Sequence, residues 1–179
     1  MSRAFVDDDA ADSTGDEAPE LKIPIPPGSR NYLTPEGARR LADELRGLEL
    51  SERPGLSAEM EKAVKSGADA DALSRLRRAL ARADRRIEYL SRMASMAETV
   101  EAPEGGYDRV RFGASVLVRE GPGDPVRYRI VGVDEADPER GLIGWTSPIA
   151  RALMGKRPGD LVRAALPEQE TVLEIVSIE

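Results

Sequence analysis

"LSRLRRALARADRRIEYLSRMASMA", residues 73–97, carries the pattern from which the rest of the chain can be laid out. Leu73, Leu76, Leu80, Ala83, Ile87, Leu90, Ala94 and Ala97 follow one another at intervals of three and four. That is an uninterrupted heptad seam, the apolar stripe along which one helix packs on another. With Leu73 at position a, Arg75, Arg78, Arg82, Arg85 and Arg92 fall at c and f, on the face opposite the seam. Only Asp84 and Glu88 offset them between Leu73 and Met93. A stripe of this kind is accounted for by a solvated outer face, or by a surface that follows a phosphate backbone.

The partner helix lies upstream. In "NYLTPEGARRLADEL", 31–45, Thr34 suits an N-cap, Pro35 the first helical position and Glu36 the first turn. Leu33, Gly37 with Ala38, Leu41, Leu45 and Leu48 keep a helical period. Pro54 and Gly55 should kink or break it. Leu56, Met60, Ala63 and Val64 resume the pattern out of phase. A short connection near "KSGADA" then forces an antiparallel hairpin, with Gly67 as the turn residue and Asp69 and Asp71 at the free tip. The expected hairpin spans 32–100, with its tip near 66–71.

Composition narrows the chemistry. The 179 residues contain no cysteine and no histidine, so disulfides, thiolate or imidazole metal sites and histidine-based catalysis are excluded. No apolar run approaches the roughly 20 residues that span a bilayer, and "MSRAFVDDDAAD" lacks the apolar core of a signal peptide. A soluble cytoplasmic protein, with no membrane partner, is expected. Residues 1–20 hold seven acids and one base, so they carry −6 of the net −7. That composition predicts an acidic disordered tail, serving solubility or an electrostatic role against a basic partner. "KIPIPPGSRN", 22–31, continues it as an extended, proline-stiffened linker, so 1–31 is expected to lie outside the folded units.

Beyond the turn-rich "EAPEGGYDRV", 101–110, the pattern becomes strand-like in "ASVLVRE", "VRYRIVGV", "LIGWTS", "LVRAAL" and "TVLEIVSIE". One short helix interrupts, "PIARALMGK", capped by Ser147, opened by Pro148 and closed by Gly155. Ile149, Leu153 and Met154 read as core, and Trp145 as a buried or half-buried strand residue. Five short strands and a helix over 101–179 predict an α+β chain, its second part mainly antiparallel.

This second part resembles the C-terminal domain of the bacterial Gre transcription factors. The resemblance rests on Phe112–Gly113, Ile130–Val131–Gly132, Asp134–Glu135, Asp137–Pro138 and the stretch Ser147 to Asp160, "SPIARALMGKRPGD". "YLTPEGARRLADEL" and "DRRIEYL" (84–90) are similar to the helices of the same family, so the likeness covers about 32–179. It implies an FKBP-like C-terminal domain docked at the rim of the secondary channel of bacterial RNA polymerase, and a coiled-coil hairpin inserted down that channel by a monomer. It implies that the chain is no enzyme alone: two tip acids help hold a Mg²⁺ shared with the polymerase, which hydrolyses backtracked RNA. On this likeness Arg75, Arg78, Arg82 and Arg85 face the nascent RNA 3′ end and the channel wall. Arg151, Lys156 and Arg157, which have no core role, become the docking residues.

The tip departs from the family pattern Gly-Asp-x-Ser-Glu-Asn. Counting from Arg53–Pro54 puts the family glycine on Gly67, its aspartate on Ala68 and its glutamate on Asp71. Counting back from "DRRIEYL" puts the two acids on Ser66 and Asp69. Asp69 and Asp71 are the acids present, one residue apart. They are the expected metal ligands, against a reading as a solvated tip with Asp71 capping the helix. The alternatives for the whole chain are a channel-occupying regulator without cleavage, an FKBP-like isomerase or chaperone, and a relative that regulates nucleoside diphosphate kinase.

Overall fold

The computed structural model describes residues 21–165 and 170–179. The acidic segment 1–20 lies outside the described residues. Strand β1 (Asn31–Leu33) leads into helix α1 (Pro35–Gly47). The Thr34 side chain accepts a hydrogen bond from the Gly37 N–H, and Pro35 occupies the first turn, as the sequence predicts.

The helix does not break at Pro54. Between α1 and α2 (Arg53–Lys65) the chain runs through a π-helical segment, Leu48–Glu52, in which the Arg53 N–H donates to the Leu48 carbonyl five residues back. The wider turn absorbs what a proline cannot supply in a regular helix: Pro54 has no N–H, and its ring crowds the carbonyl four residues earlier. The helix therefore continues to a turn at Gly67, whose φ is +68°. It returns as α3 (Ala70–Ser95).

The seam holds over α3 but fails just past its C-terminal end. Ala83 and Leu90 are buried, and Met93, outside the heptad positions, is fully buried. Ala97 is exposed and no longer helical; it opens strand β2 (Ala97–Thr99). Val64 is 58 % exposed, so the pattern read through α2 fails there. β2 pairs in parallel with β1, with Asn31 opposite Ala97 and Leu33 opposite Thr99. Asn31 supports the joint by donating its Nδ2 to the Met93 carbonyl at 3.1 Å.

The segment 22–31 is not a free spacer. Ile25 is buried, with Ile23 partly so, in a cluster formed by Leu33, Leu41, Leu48, Leu90 and Met93. A turn closed by the Ser29 N–H on the Pro26 carbonyl, with Gly28 at φ +78°, brings the chain from this cluster to β1. The prolines stiffen a strap that lies on the base of the hairpin.

The second part is a five-stranded sheet in the order β5-β4-β3-β7-β6. Its strands are β3 (Ser115–Glu120), β4 (Val126–Val131), β5 (Leu142–Gly144), β6 (Leu161–Ala165) and β7 (Glu170–Ile178). All neighbours are antiparallel except β4 and β5. The five strands correspond to the five strand-like runs of the sequence. The alternating Val116, Val118, Ile130, Val162 and Ile175 turn inward, and helix α4 (Pro148–Leu153) adds Ala150 and Leu153 to the same core. Met154, expected inside, is 39 % exposed just past the end of α4. Trp145 is half-buried and packs against both the sheet core and the hairpin-base cluster. Tyr32 stands edge-on to it, with ring centroids 5.6 Å apart. Among the described residues no helix is long and apolar enough to cross a membrane.

Candidate functional site

At the tip, the chain leaves α2 through Gly67 and re-enters a helix at Asp69. The Asp69 backbone is extended, and its Oδ1 accepts a hydrogen bond from the Ala72 N–H at 2.7 Å. The cap is therefore Asp69 and not Asp71, because α3 begins at Ala70, earlier than the first seam residue suggests. Asp71 lies in the first turn, where a negative charge meets the positive end of the helix dipole. Both carboxylates are exposed.

One Asp69 oxygen is committed to the helix, which leaves Oδ2 and the Asp71 carboxylate for an outside group. Among the described residues no group of three or more acids forms a metal site. Mg²⁺ retains waters and takes one or two carboxylates from a protein when other ligands complete its shell. The donor set at the tip fits a shared ion of that kind better than a self-sufficient site.

The arginines of α3 divide into two sets. Arg86 forks onto Glu44 of α1, at 2.6 and 3.0 Å, and this pairing holds its proton more tightly than usual. Asp84 receives Arg53 of α2 at 2.8 Å. These pairs tie α3 to the two antiparallel segments beside it. Arg75, Arg78, Arg82, Arg85 and Arg92 are all exposed. None of them has an acidic partner within 4.0 Å among the described residues; Arg78 donates to Ser74 Oγ at 2.7 Å. The stripe read from the heptad is thus a run of cations left over after the helices have been paired.

The three expected docking residues follow one another around α4 and the turn after it, all exposed. Arg151 donates through Nε to the Thr146 carbonyl at 2.9 Å. The Arg157 N–H donates to Asp160 Oδ2 at 2.8 Å, and the Lys156 carbonyl accepts from the Val110 N–H at 2.8 Å. The backbone under Lys156 and Arg157 is therefore held firmly while their side chains remain outside.

The sequence reading missed Glu135. It is buried, at 6 % exposure, in a 3-10 turn (Val133–Glu135) after β4. Its Oε2 accepts from the backbone N–H groups of Thr34 and Gly132, each at 3.0 Å, and its Oε1 accepts from the Thr34 hydroxyl. Arg40 lies 3.7 Å away. One carboxylate thus binds the first turn of α1 to the sheet. Two glycines make room for it: a Cβ on Gly37 would stand 2.1 Å from the Glu135 carboxyl carbon, and one on Gly132 2.6 Å from Oε2. Next to it, the Tyr89 hydroxyl of α3 donates to Asp134 Oδ1 at 2.7 Å.

A family model described as transcription elongation factor, GreA/GreB, C-term, matches residues 103–179. The transcription elongation factor GreB of Neisseria meningitidis serogroup A is 37 % identical over 155 residues, covering 84 % of this chain and 94 % of its own. The transcription elongation factor GreA of Alkalilimnicola ehrlichii is 39 % identical over 157 residues, covering 84 % and 98 %. The crystal structure of the GreA factor homolog 1 (Gfh1) protein of Thermus thermophilus is 23 % identical, covers 84 % of this chain and 99 % of that one, and superposes with a TM-score of 0.40. The two curated relatives, 37 and 39 % identical and covered over nearly their whole length, make the assignment: the chain belongs to the GreA/GreB family of transcription elongation factors.

Proposed function

We propose that this protein binds bacterial RNA polymerase as a monomer and inserts the helical hairpin, acting as a coiled coil, into the secondary channel. The sheet domain, FKBP-like in kind, docks at the channel rim through Arg151, Lys156 and Arg157. Asp69 and Asp71 would then contribute oxygens to a Mg²⁺ completed by the polymerase, which would supply a bound water of lowered pKa and charge stabilisation for the leaving oxygen. The exposed arginines from Arg75 to Arg85 lie along the path to the tip and would contact the nascent RNA 3′ end. The protein has no complete catalytic centre in this reading; its part is to place acids and cations.

The observation that carries the reading is the tip: two exposed carboxylates beside a turn, at the far end of a paired helix about 39 Å long by the standard rise of 26 helical residues. An isomerase reading gains little from the sheet domain: Phe112 and Trp145 both pack on Tyr32 at the joint, and the groove that Trp145 lines with Ile23, Pro24, Ile25 and Pro26 of the strap holds no second aromatic ring. The relatives described above are named as elongation factors, which likewise lends no support to regulation of nucleoside diphosphate kinase.

The test is cleavage of RNA in backtracked elongation complexes with Mg²⁺ present. Asp69→Asn is the right probe, because asparagine caps a helix as well as aspartate but brings no charge, whereas alanine would also cost about 1 kcal/mol of capping. Asp71→Asn is its companion. Each is expected to slow cleavage by roughly 10- to 100-fold while leaving polymerase binding intact, as a misplaced ligand does. Binding without cleavage by the wild type would instead make this a factor that occupies the channel. Failure to bind polymerase would overturn the reading.

A further inference from the structure

The strap, residues 21–28, runs along the joint between hairpin and sheet. Its burial alternates: Leu21, Ile23 and Ile25 are partly or fully buried, whereas Lys22, Pro24 and Pro26 are exposed. A period of two belongs to extended chain. The sequence holds it there, because Ile23 and Ile25 each precede a proline, which disfavours the helical region for them. On the hairpin side Ile25, 8 % exposed, is buried in the cluster of Leu41, Leu48, Leu90 and Met93. On the sheet side Ile23, Pro24, Ile25 and Pro26 share a groove with Trp145, Thr146 and Arg151. The strap thus faces both units at once. It precedes the stretch, about 32–179, on which the family resemblance rests, so that likeness assigns it no role.

We infer that the strap is a brace and Ile25 a positioning residue, which together hold the hairpin at the angle that delivers its tip. Among the described residues, the side-chain hydrogen bonds and the ion pair that join the two units all end on Asp134 or Glu135. Both acids belong to the one short turn Val133–Glu135. A single point of attachment is a pivot, about which a stiff arm still swings. The second point is Trp145, which meets Tyr32 edge-on and lines the groove beneath the strap. Apolar contact is non-directional, so on its own it leaves room to slide. A stiff strap with Ile25 anchored beside Leu90 closes that freedom. The lever is long: the 26 residues of α3 span about 39 Å, so a swing of about 3° at the base moves the tip by about 2 Å. A misplacement of about 1 Å can cost roughly 100-fold in rate. Ile25 lies at the opposite end of α3 from Asp69, so its effect on the tip passes through this angle.

The brace is tested without polymerase. The chain lacks cysteine, so nitroxides on Arg82→Cys in α3 and Arg163→Cys in β6, both exposed positions, report the hairpin angle through the distance between them. The intact strap should give one narrow distance distribution. Ile23→Ser combined with Ile25→Ser should broaden and shift it, whereas Ile25→Val, which keeps the branched side chain before Pro26, should leave it narrow. Leu41→Ala is the control for lost core. It takes a buried side chain from the same cluster and leaves the strap sequence intact, so it should lower stability without broadening the distribution. An unchanged distribution in the serine variant, or equal broadening in Leu41→Ala, would overturn the proposal.

The consequence for the tip rests on the polymerase reading above, and a second arm separates the two. In backtracked complexes that the wild type cleaves, the serine variant should bind polymerase as well as the wild type and cleave about tenfold or more slowly. Ile25→Val should stay close to the wild type. A loss of binding as large as the loss of cleavage would contradict a positioning role. A wild type that neither binds nor cleaves would count against the polymerase reading, and the distance distribution would still decide the brace.

Discussion

Glu135 is the residue on which the joint between hairpin and sheet turns. Removing its carboxylate would leave the buried N–H groups of Thr34 and Gly132 without an acceptor, together with the Thr34 hydroxyl that also caps α1. Glu135→Ala should therefore lower stability to urea by about 3 kcal/mol, from the cost of buried donors that lose a charged partner. Gly37→Ala should also destabilise, although alanine is the better helix former by about 1 kcal/mol, because its Cβ has no room beside Glu135. A Gly37→Ala variant as stable as the wild type would refute the packing at this position. Tyr89 makes a pH prediction. Burial first, and then the hydrogen bond to Asp134, raise its hydroxyl pKa above the ordinary 10.0. A raised pKa means the folded state holds the proton longer, so the contribution is complete below pH 10 and is lost as pH rises beyond it. Between pH 10 and 12 the stability of the wild type should fall more steeply than that of Tyr89→Phe. The sequence marks both residues only as parts of a resemblance, Glu135 in Asp134–Glu135 and Tyr89 in "DRRIEYL", and gives neither a structural role. Glu135 reads as one more acid in a turn, since nothing local marks a charge that will meet the backbone of a segment about a hundred positions away.

The hairpin is unevenly built. α2 contains no buried residue, whereas α3 buries Ala83, Leu90 and Met93, two of them at the base. The distal half is held by partly buried side chains and by the exposed pair Arg53–Asp84, worth at most about 1 kcal/mol. Amide hydrogen exchange should accordingly be faster across α2 and the first three turns of α3 than at Ile87–Met93, a gradient expected where apolar burial thins out. Uniform protection along α3 would contradict this. The long elements were legible because a heptad seam and strand alternation leave strong periodic signals. β1 and β2 were not, because three-residue strands have no period and their pairing depends on a contact across the whole hairpin. The π-segment was half legible: Pro54 announces a disturbance, but whether the helix breaks or widens is decided by the seam on either side. The cap at the tip was ambiguous for a simpler reason. Aspartates stand at both 69 and 71, and residue preference alone does not choose between them.

At the scale of the molecule, three pieces meet at one joint: the strap through Ile25, the hairpin base through Leu90 and Met93, and the sheet through Trp145. The joint fixes the direction in which α3 points away from the sheet, so a tip that must reach a distant target depends on residues nowhere near it. The helices and the sheet content were readable from the sequence, and so was the position of Asp69 and Asp71 beside the turn and of the exposed arginines on α3. The strap was not, since proline-rich composition describes stiffness and says nothing about what a stiff segment rests on. The central claim, that the tip is delivered to the polymerase active site, is open to a direct measurement. A photoactivatable crosslinker on Ala68→Cys, unique in a chain without cysteine, would be assembled with a backtracked elongation complex and its adducts mapped. The account predicts adducts at the RNA 3′ end and the catalytic centre. Adducts confined to the outer surface of the polymerase, or none, would contradict it.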